Sequence, residues 1–185
     1  MNARVPKDRI LGVVLAGGQS RRFGSDKALA EVGGRSLLAR AVAYLESQSD
    51  AVIVAGRGTA PVPVVADRPR AAMGPLGGLN GALHHGAAHG FAAVLSIPVD
   101  GFALPADLRG ELSPAPAYAL DAPVIGLWPV AARDALDAFL AQDAVHSLRA
   151  FAARIGARAV RLSEVPFNIN TPADLLAAKD HAHGL

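Results

Sequence analysis

Cysteine is absent from all 185 residues, which excludes disulfides, thiolate metal sites and a cysteine nucleophile and fits a reducing compartment. No segment approaches the roughly 20 consecutive apolar residues that a membrane-spanning helix needs. The stretch from Met1 to Arg9 is polar and lacks the apolar core of a signal peptide. A cytoplasmic location with no membrane partner is the expectation. No basic cluster is present either. The net charge is +2 and the arginines are scattered, whereas a nucleic-acid binder of this size shows a basic stripe. Aromatics make up only 5% of residues, so Ala, Val and Leu supply the apolar half of the chain, a composition suited to helices packed closely on a sheet.

Ile10 to Leu15, Ala51 to Ala55, Val62 to Ala66 and Phe91 to Ile97 are short, nearly continuous apolar runs, the pattern of strands buried on both faces. Between them lie helical periodicities. Ser36 caps a stretch from Leu37 to Ser47, and Pro75 to His89 turns Leu76, Leu79 and Leu83 inward before Gly90 stops it. Beyond Pro105 the spacing predicts helices over 106–112, 131–141, 147–155 and 171–182. Shorter strands are expected over 118–121, 124–128 and 157–162. The alternation implies one α/β domain of three layers, a mostly parallel sheet with helices on both faces, as in Rossmann-like folds. Its ligand should lie beyond the carboxyl ends of the strands.

The loop leaving the first strand reads Leu15-Ala16-Gly17-Gly18-Gln19-Ser20-Arg21-Arg22-Phe23-Gly24-Ser25-Asp26-Lys27. Two adjacent glycines let main-chain N–H groups close around an anion or a base, and Arg22 and Lys27 add charge suited to polyphosphate oxygens. The spacing is neither that of a P-loop nor that of a dinucleotide fold. It resembles the signature loop of the molybdenum cofactor guanylyltransferases, a family within the wider nucleotidyltransferases. That resemblance implies that Leu15, Ala16, Gly17 and Gly18 hold the nucleotide and that Arg22 and Lys27 meet its phosphates.

Asp100 ends the strand at Pro98-Val99-Asp100, and Asp67 follows Val62 to Ala66. A carboxylate beside a triphosphate makes sense with a divalent cation between them, because Mg²⁺ favours one or two carboxylates plus phosphate oxygens and water. For Asp67, capping of the next turn is the competing role. The position of Asp100 resembles the family's Mg²⁺-binding aspartate, although its flank, Gly101-Phe102, differs. Met73-Gly74-Pro75-Leu76-Gly77-Gly78-Leu79 and Phe167-Asn168-Ile169-Asn170-Thr171-Pro172 also resemble family segments. From them Gly74, Gly78, Asn168 and Asn170 join Arg22 as acceptor-binding candidates. Tight helix packing at the glycines and a turn at the asparagines are the alternatives. One family feature is missing, an Asn after the second strand, where this chain has Gly56-Arg57. His84, His85 and His89 have no acidic neighbour in sequence and receive no chemistry.

The resemblance covers Ile10 to Leu175 and implies transfer of GMP from GTP to the phosphate of molybdopterin, with Mg²⁺ as cofactor. Lys27, Arg22 and Asp100 are the expected catalytic groups; Asp67 joins Lys27 and Asp100 on the nucleotide. Residues 10–105 would form the nucleotide half and 106–185 the acceptor half of a single domain over 1–185. Transient contact with proteins that make or receive the cofactor is expected. Rival readings are a CTP- or sugar-phosphate-using relative, separable by nucleotide preference, and a non-catalytic handover protein, separable by pyrophosphate release.

Overall fold

The structure is a computed structural model that describes residues 9–17, 26–142, 146–169 and 174. The strands are β1 (Ile10–Leu15), β2 (Glu31–Val32), β3 (Arg35–Ser36), β4 (Ala51–Ala55), β5 (Val64–Val65), β6 (Ala93–Pro98), β7 (Gly101–Phe102), β8 (Ala117–Ala119), β9 (Ala122–Pro129), β10 (Arg158–Val160) and β11 (Phe167–Asn168). Helices are α1 (Leu37–Gln48), α2 (Gly74–Ala88), α3 (Leu108–Leu112), α4 (Arg133–Leu140) and α5 (Leu148–Arg154). Seven strands form the main sheet in the order β10-β8-β9-β6-β1-β4-β5. β6, β1, β4 and β5 run parallel, and β9 is antiparallel to both β6 and β8.

Strand periodicity divides the core into two layers. Ile10 and Val14 of β1 face one side, where α1 supplies Leu38, Ala41, Val42 and Leu45 and α3 supplies Leu108 and Leu112. Leu11, Val13 and Leu15 face the other, against α2, α4 and α5. This is the three-layer arrangement that the apolar runs imply. Ser36 caps α1 as expected, its Oγ accepting from the N–H of Ala39 at 3.2 Å. The buried Ser96 hydroxyl of β6 is satisfied on both sides: it donates to the carbonyl of Val124 and accepts from the indole N–H of Trp128 at 2.9 Å.

The third strand is shorter than the apolar run suggests, Val64–Val65 rather than Val62 to Ala66. Pro61 and Pro63 have no N–H for the ladder, and the Pro63 carbonyl only accepts, from the N–H of Val54. The fourth begins at Ala93 because the N–H of Phe91 closes the end of α2 on the Gly86 carbonyl instead. Two small ladders, β2–β3 and β7–β11, have no counterpart in the sequence pattern. The expected closing helix over 171–182 lies, apart from Asp174, outside the described residues.

Helix α2 sits unusually close to the sheet. A Cβ on Gly81 would come within 2.2 Å of the Ala66 carbonyl oxygen, and one on Gly78 within 3.0 Å of the Ala55 Cβ. On its outer side the buried Asn80 amide donates to Asp137 of α4 at 2.7 Å, and His84 pairs with the same carboxylate at 2.8 Å. His84 therefore has an acidic partner in space that the sequence neighbourhood does not supply, and it serves to brace α2 against α4. Gly81→Ala should force α2 away from β5 and cost about 1–3 kcal/mol, as overpacked sites do. Urea unfolding checks this; an unchanged midpoint would mean that the close approach is not needed.

Candidate active site

Four parallel strands end on one edge of the sheet, and each delivers a residue to it. β1 leads into Ala16 and Gly17. Ala16 still donates to the Ala55 carbonyl at 2.9 Å, so the chain stays beside β4 for one residue past the strand. Gly17 then lies against Gly56. Gly56 has φ +82°, and a Cβ there would come within 2.3 Å of the Gly17 nitrogen. Any side chain at 56 would both strain the backbone and push the glycine loop off its base. Sequence reading does not single this residue out; a glycine directly after a buried strand is the signal that could have found it.

On the β6 side, Val99 donates to the Leu15 carbonyl at 3.1 Å, which holds Asp100 beside the start of the glycine loop. Asp26 caps a short 3₁₀ turn, residues 27–29, its Oδ1 accepting from the N–H of Ala28. That turn aims Lys27 at Asp100. The Lys27 ammonium donates to Asp100 Oδ2 at 2.5 Å, and the two side chains are only 13% and 17% exposed. The β7–β11 ladder brings a further predicted residue here. Asn168 is paired with Gly101, and Ile169 donates to the Asp100 carbonyl.

On the β4–β5 side lies a cleft of about 630 Å³ whose lining includes Gly17, Gly56, Arg57, Asp67, Ala72 and Gly74. Asp67 follows β5 and packs under the start of α2, where Arg68 donates to the Gly77 carbonyl. Burial pushes the Asp67 carboxyl above the ordinary range, against a smaller opposite pull from the N–H groups of Met73 and Ala72. Its Oδ1 is buried with no hydrogen-bond partner among the described residues. An acceptor left open in this way suits a ligand that brings N–H or O–H donors.

The predicted residues thus fall into two groups around Gly17. Lys27, Asp100 and Asn168 stand on the β6 side; Asp67 and Gly74 stand in the cleft. Asp100 is not among the described residues that line that cleft. The structure also separates residues that the sequence grouped as acceptor-binding, because Gly74 and Asn168 lie on opposite sides of β1. Gly78 faces Leu15 and Ala55 under α2, so close packing rather than ligand contact accounts for it. Gly18, Arg22 and Asn170 lie outside the described residues.

The donor set at Asp100 fits a hard divalent cation. Its oxygens are carboxylate, Lys27 engages Oδ2, and among the described residues no three His, Cys, Asp or Glu converge into a complete cage. A carboxylate oxygen is the ligand type that Mg²⁺ accepts alongside phosphate oxygens and water. At Asp67 the raised pKa has a consequence for stability. Above the ordinary aspartate value the unfolded chain has lost a proton that the folded chain still holds, so this group's contribution to stability falls as pH rises through that window. Asp67→Asn should therefore gain stability relative to the unsubstituted protein as pH rises above the ordinary aspartate value of about 4. Urea midpoints across that range test it, and a pH-independent difference would contradict the assignment.

Comparison with known proteins identifies the family. The model of the MobA-like NTP transferase domain matches residues 12–164. A molybdenum cofactor guanylyltransferase from Acidiphilium cryptum is 41% identical over 181 residues, covering 90% of this chain and 92% of that protein. One from Rhodobacter capsulatus is 38% identical over 186 residues, covering 93% and 96%. Among solved structures, molybdopterin-guanine dinucleotide biosynthesis protein A from Archaeoglobus fulgidus superposes with a TM-score of 0.70 at 17% identity, covering 95% of this chain and all of that one. The 2-C-methyl-D-erythritol 4-phosphate cytidylyltransferase from Thermus thermophilus gives 0.65 at 18% identity, covering 92% and 98%. These two likenesses show the nucleotidyltransferase fold. The extent and identity of the sequence matches show that the chain belongs to the molybdenum cofactor guanylyltransferases, nucleotidyltransferase enzymes of the MobA-like type.

Proposed function

We propose that this chain transfers GMP from GTP to the phosphate of molybdopterin. An acceptor phosphate oxygen attacks the α-phosphorus, the bond from that phosphorus to the β-phosphate bridging oxygen breaks, and pyrophosphate leaves. A phosphate monoester is already anionic near neutral pH, so the attack needs no strong general base. What remains for the protein is alignment and charge neutralisation. The observation that carries this reading is the Lys27–Asp100 pair beside the glycine turn. It sets one fixed positive and one fixed negative group where a triphosphate and its counter-ion would meet.

In this reading main-chain N–H groups of Gly17 and Gly18 hold the nucleotide, and Asp67 accepts from its donors in the cleft. Lys27 and Arg22 bind phosphate oxygens. Asn168 and Asn170 orient the acceptor from the strand beside Asp100. Asp100 is the residue that would hold Mg²⁺, which when bound offsets charge at the α-phosphate and on the departing pyrophosphate. We place the reaction in the cytoplasm, the compartment that suits a chain without cysteine pairs to oxidise. No helix among the described residues is long and apolar enough to cross a membrane.

Pyrophosphate release with Mg²⁺, molybdopterin and GTP, CTP or UTP in turn is the test. GTP should be preferred; equal or faster release from CTP would move the chain to a cytidylyl specificity, and no release from any would remove the enzyme reading. In the same assay Asp100→Ala should lose about 10²-fold in turnover, the scale for removing a principal electrostatic group. Turnover at the unsubstituted rate would take Asp100 out of the mechanism.

A further inference from the structure

The Asp26–Arg57 pair belongs to none of the roles above. Arg57 Nη1 donates to Asp26 Oδ1 at 2.8 Å and Nη2 to Oδ2 at 2.7 Å, a two-pronged contact in which both carboxylate oxygens are engaged. Guanidinium and carboxylate match each other's planar geometry in this arrangement, so the contact fixes orientation as well as distance. It bridges 31 residues of sequence, from the end of β4 to the residue immediately before Lys27. The guanidinium is the main reason that the Asp26 carboxyl sits below its ordinary range.

Where the pair sits gives it meaning. The glycine loop leaves the sheet at Gly17 and returns at Asp26. Gly17 packs on Gly56 and Asp26 is gripped by Arg57, so two consecutive residues at the end of β4 hold both ends of the loop. Asp26 is also the cap of the 3₁₀ turn that carries Lys27, through its contact with Ala28. Any rotation of Asp26 therefore turns the base of the Lys27 side chain. The Arg57 side chain is 16% exposed and that of Asp26 44%, so solvent screens the pair from the Asp26 side and its contribution to overall stability is modest.

We infer that Arg57 is a positioning residue for catalysis: by clamping Asp26 it sets the Lys27 turn so that the lysine ammonium meets the phosphates beside Asp100. The inference rests on the nucleotidyl-transfer reading and adds to it a residue that touches neither metal nor reacting atoms. It also separates two ways in which Arg57 could matter. Arg57 lines the cleft with both terminal nitrogens engaged by Asp26 and its buried Nε without a hydrogen-bond partner among the described residues; the loss from a missing ligand contact would persist without Lys27, whereas the loss from a missing clamp would not.

The test is a double-mutant cycle between Arg57→Ala and Lys27→Ala, read both as GTP affinity in the presence of Mg²⁺ and as kcat/KM for pyrophosphate release, alongside Asp26→Asn and Arg57→Lys. Arg57→Ala should lower kcat/KM by about 10²-fold, the scale of a small misplacement of a catalytic group. Its melting temperature should stay near that of the unsubstituted protein. In the Lys27→Ala background the same change should cost almost nothing, because the group it positions is gone. Asp26→Asn, which keeps an oxygen for Ala28 but loses the charge, should behave like Arg57→Ala; Arg57→Lys should recover part of the loss. Multiplicative losses in the cycle, or Asp26→Asn with full activity, would overturn the clamp. If GTP binds without turnover, the guanylyltransfer reading fails while the binding cycle still judges the clamp. If no nucleotide binds, both fall together.

Discussion

A lysine ammonium and an aspartate carboxylate meet at the carboxyl ends of β1 and β6, and the rest of the molecule can be read as the means of holding them there. Neither charge is fully buried. A pair so largely buried adds little net folding stability, since the cost of desolvating two charges offsets much of their attraction. Its value lies in placement. Opposite charges fixed beside a glycine turn can each exchange the other for a ligand: the ammonium for a phosphate oxygen, the carboxylate for a cation bridging to the same phosphates. With both groups already in place, little reorganisation is needed when negative charge moves onto the leaving group.

The surrounding packing serves that edge. Parallel pairing of β6, β1 and β4 puts Asp100, Gly17 and Gly56 side by side, one from each strand end. On the cleft side, the glycines on the inner face of α2 bring its first turn down close to the end of β5, which buries Asp67 Oδ1 without a hydrogen-bond partner among the described residues. The β7–β11 ladder closes the opposite side by tying residues 167–168 to the chain just after Asp100. Two buried polar atoms without a hydrogen-bond partner among the described residues, Arg57 Nε and Asp67 Oδ1, belong to residues that line the cleft.

Much of this is legible in the sequence because it rests on short-range signals. Solid apolar runs mark strands buried on two faces, and Ser36 and Ser147 announce the helices that they cap. A carboxylate placed directly after such a run must sit at the strand's carboxyl end, so Asp67 and Asp100 can be found without coordinates. What cannot be read depends on partners far apart in the chain. The Lys27–Asp100 contact spans 73 residues and the Arg57–Asp26 contact 31, and neither has a periodic signature. The antiparallel insertion of β9 between β6 and β8 is hidden for a related reason, since an apolar run does not declare its direction. Gly78 shows how one motif can serve packing: helical geometry turns it toward Leu15 and Ala55 of the sheet, a closeness that the motif alone does not declare.

The most direct test of the central claim is an equilibrium titration of GTP with and without Mg²⁺, for the unsubstituted protein and for Asp100→Asn. If the aspartate serves as the cation's bridge to the triphosphate, Mg²⁺ tightens binding to the unsubstituted protein. The variant, relieved of the carboxylate's repulsion, then binds GTP better than the parent in metal-free buffer and gains little when Mg²⁺ is added. An undiminished Mg²⁺ dependence in Asp100→Asn would show that the cation is held elsewhere and that the pair with Lys27 is only a structural contact.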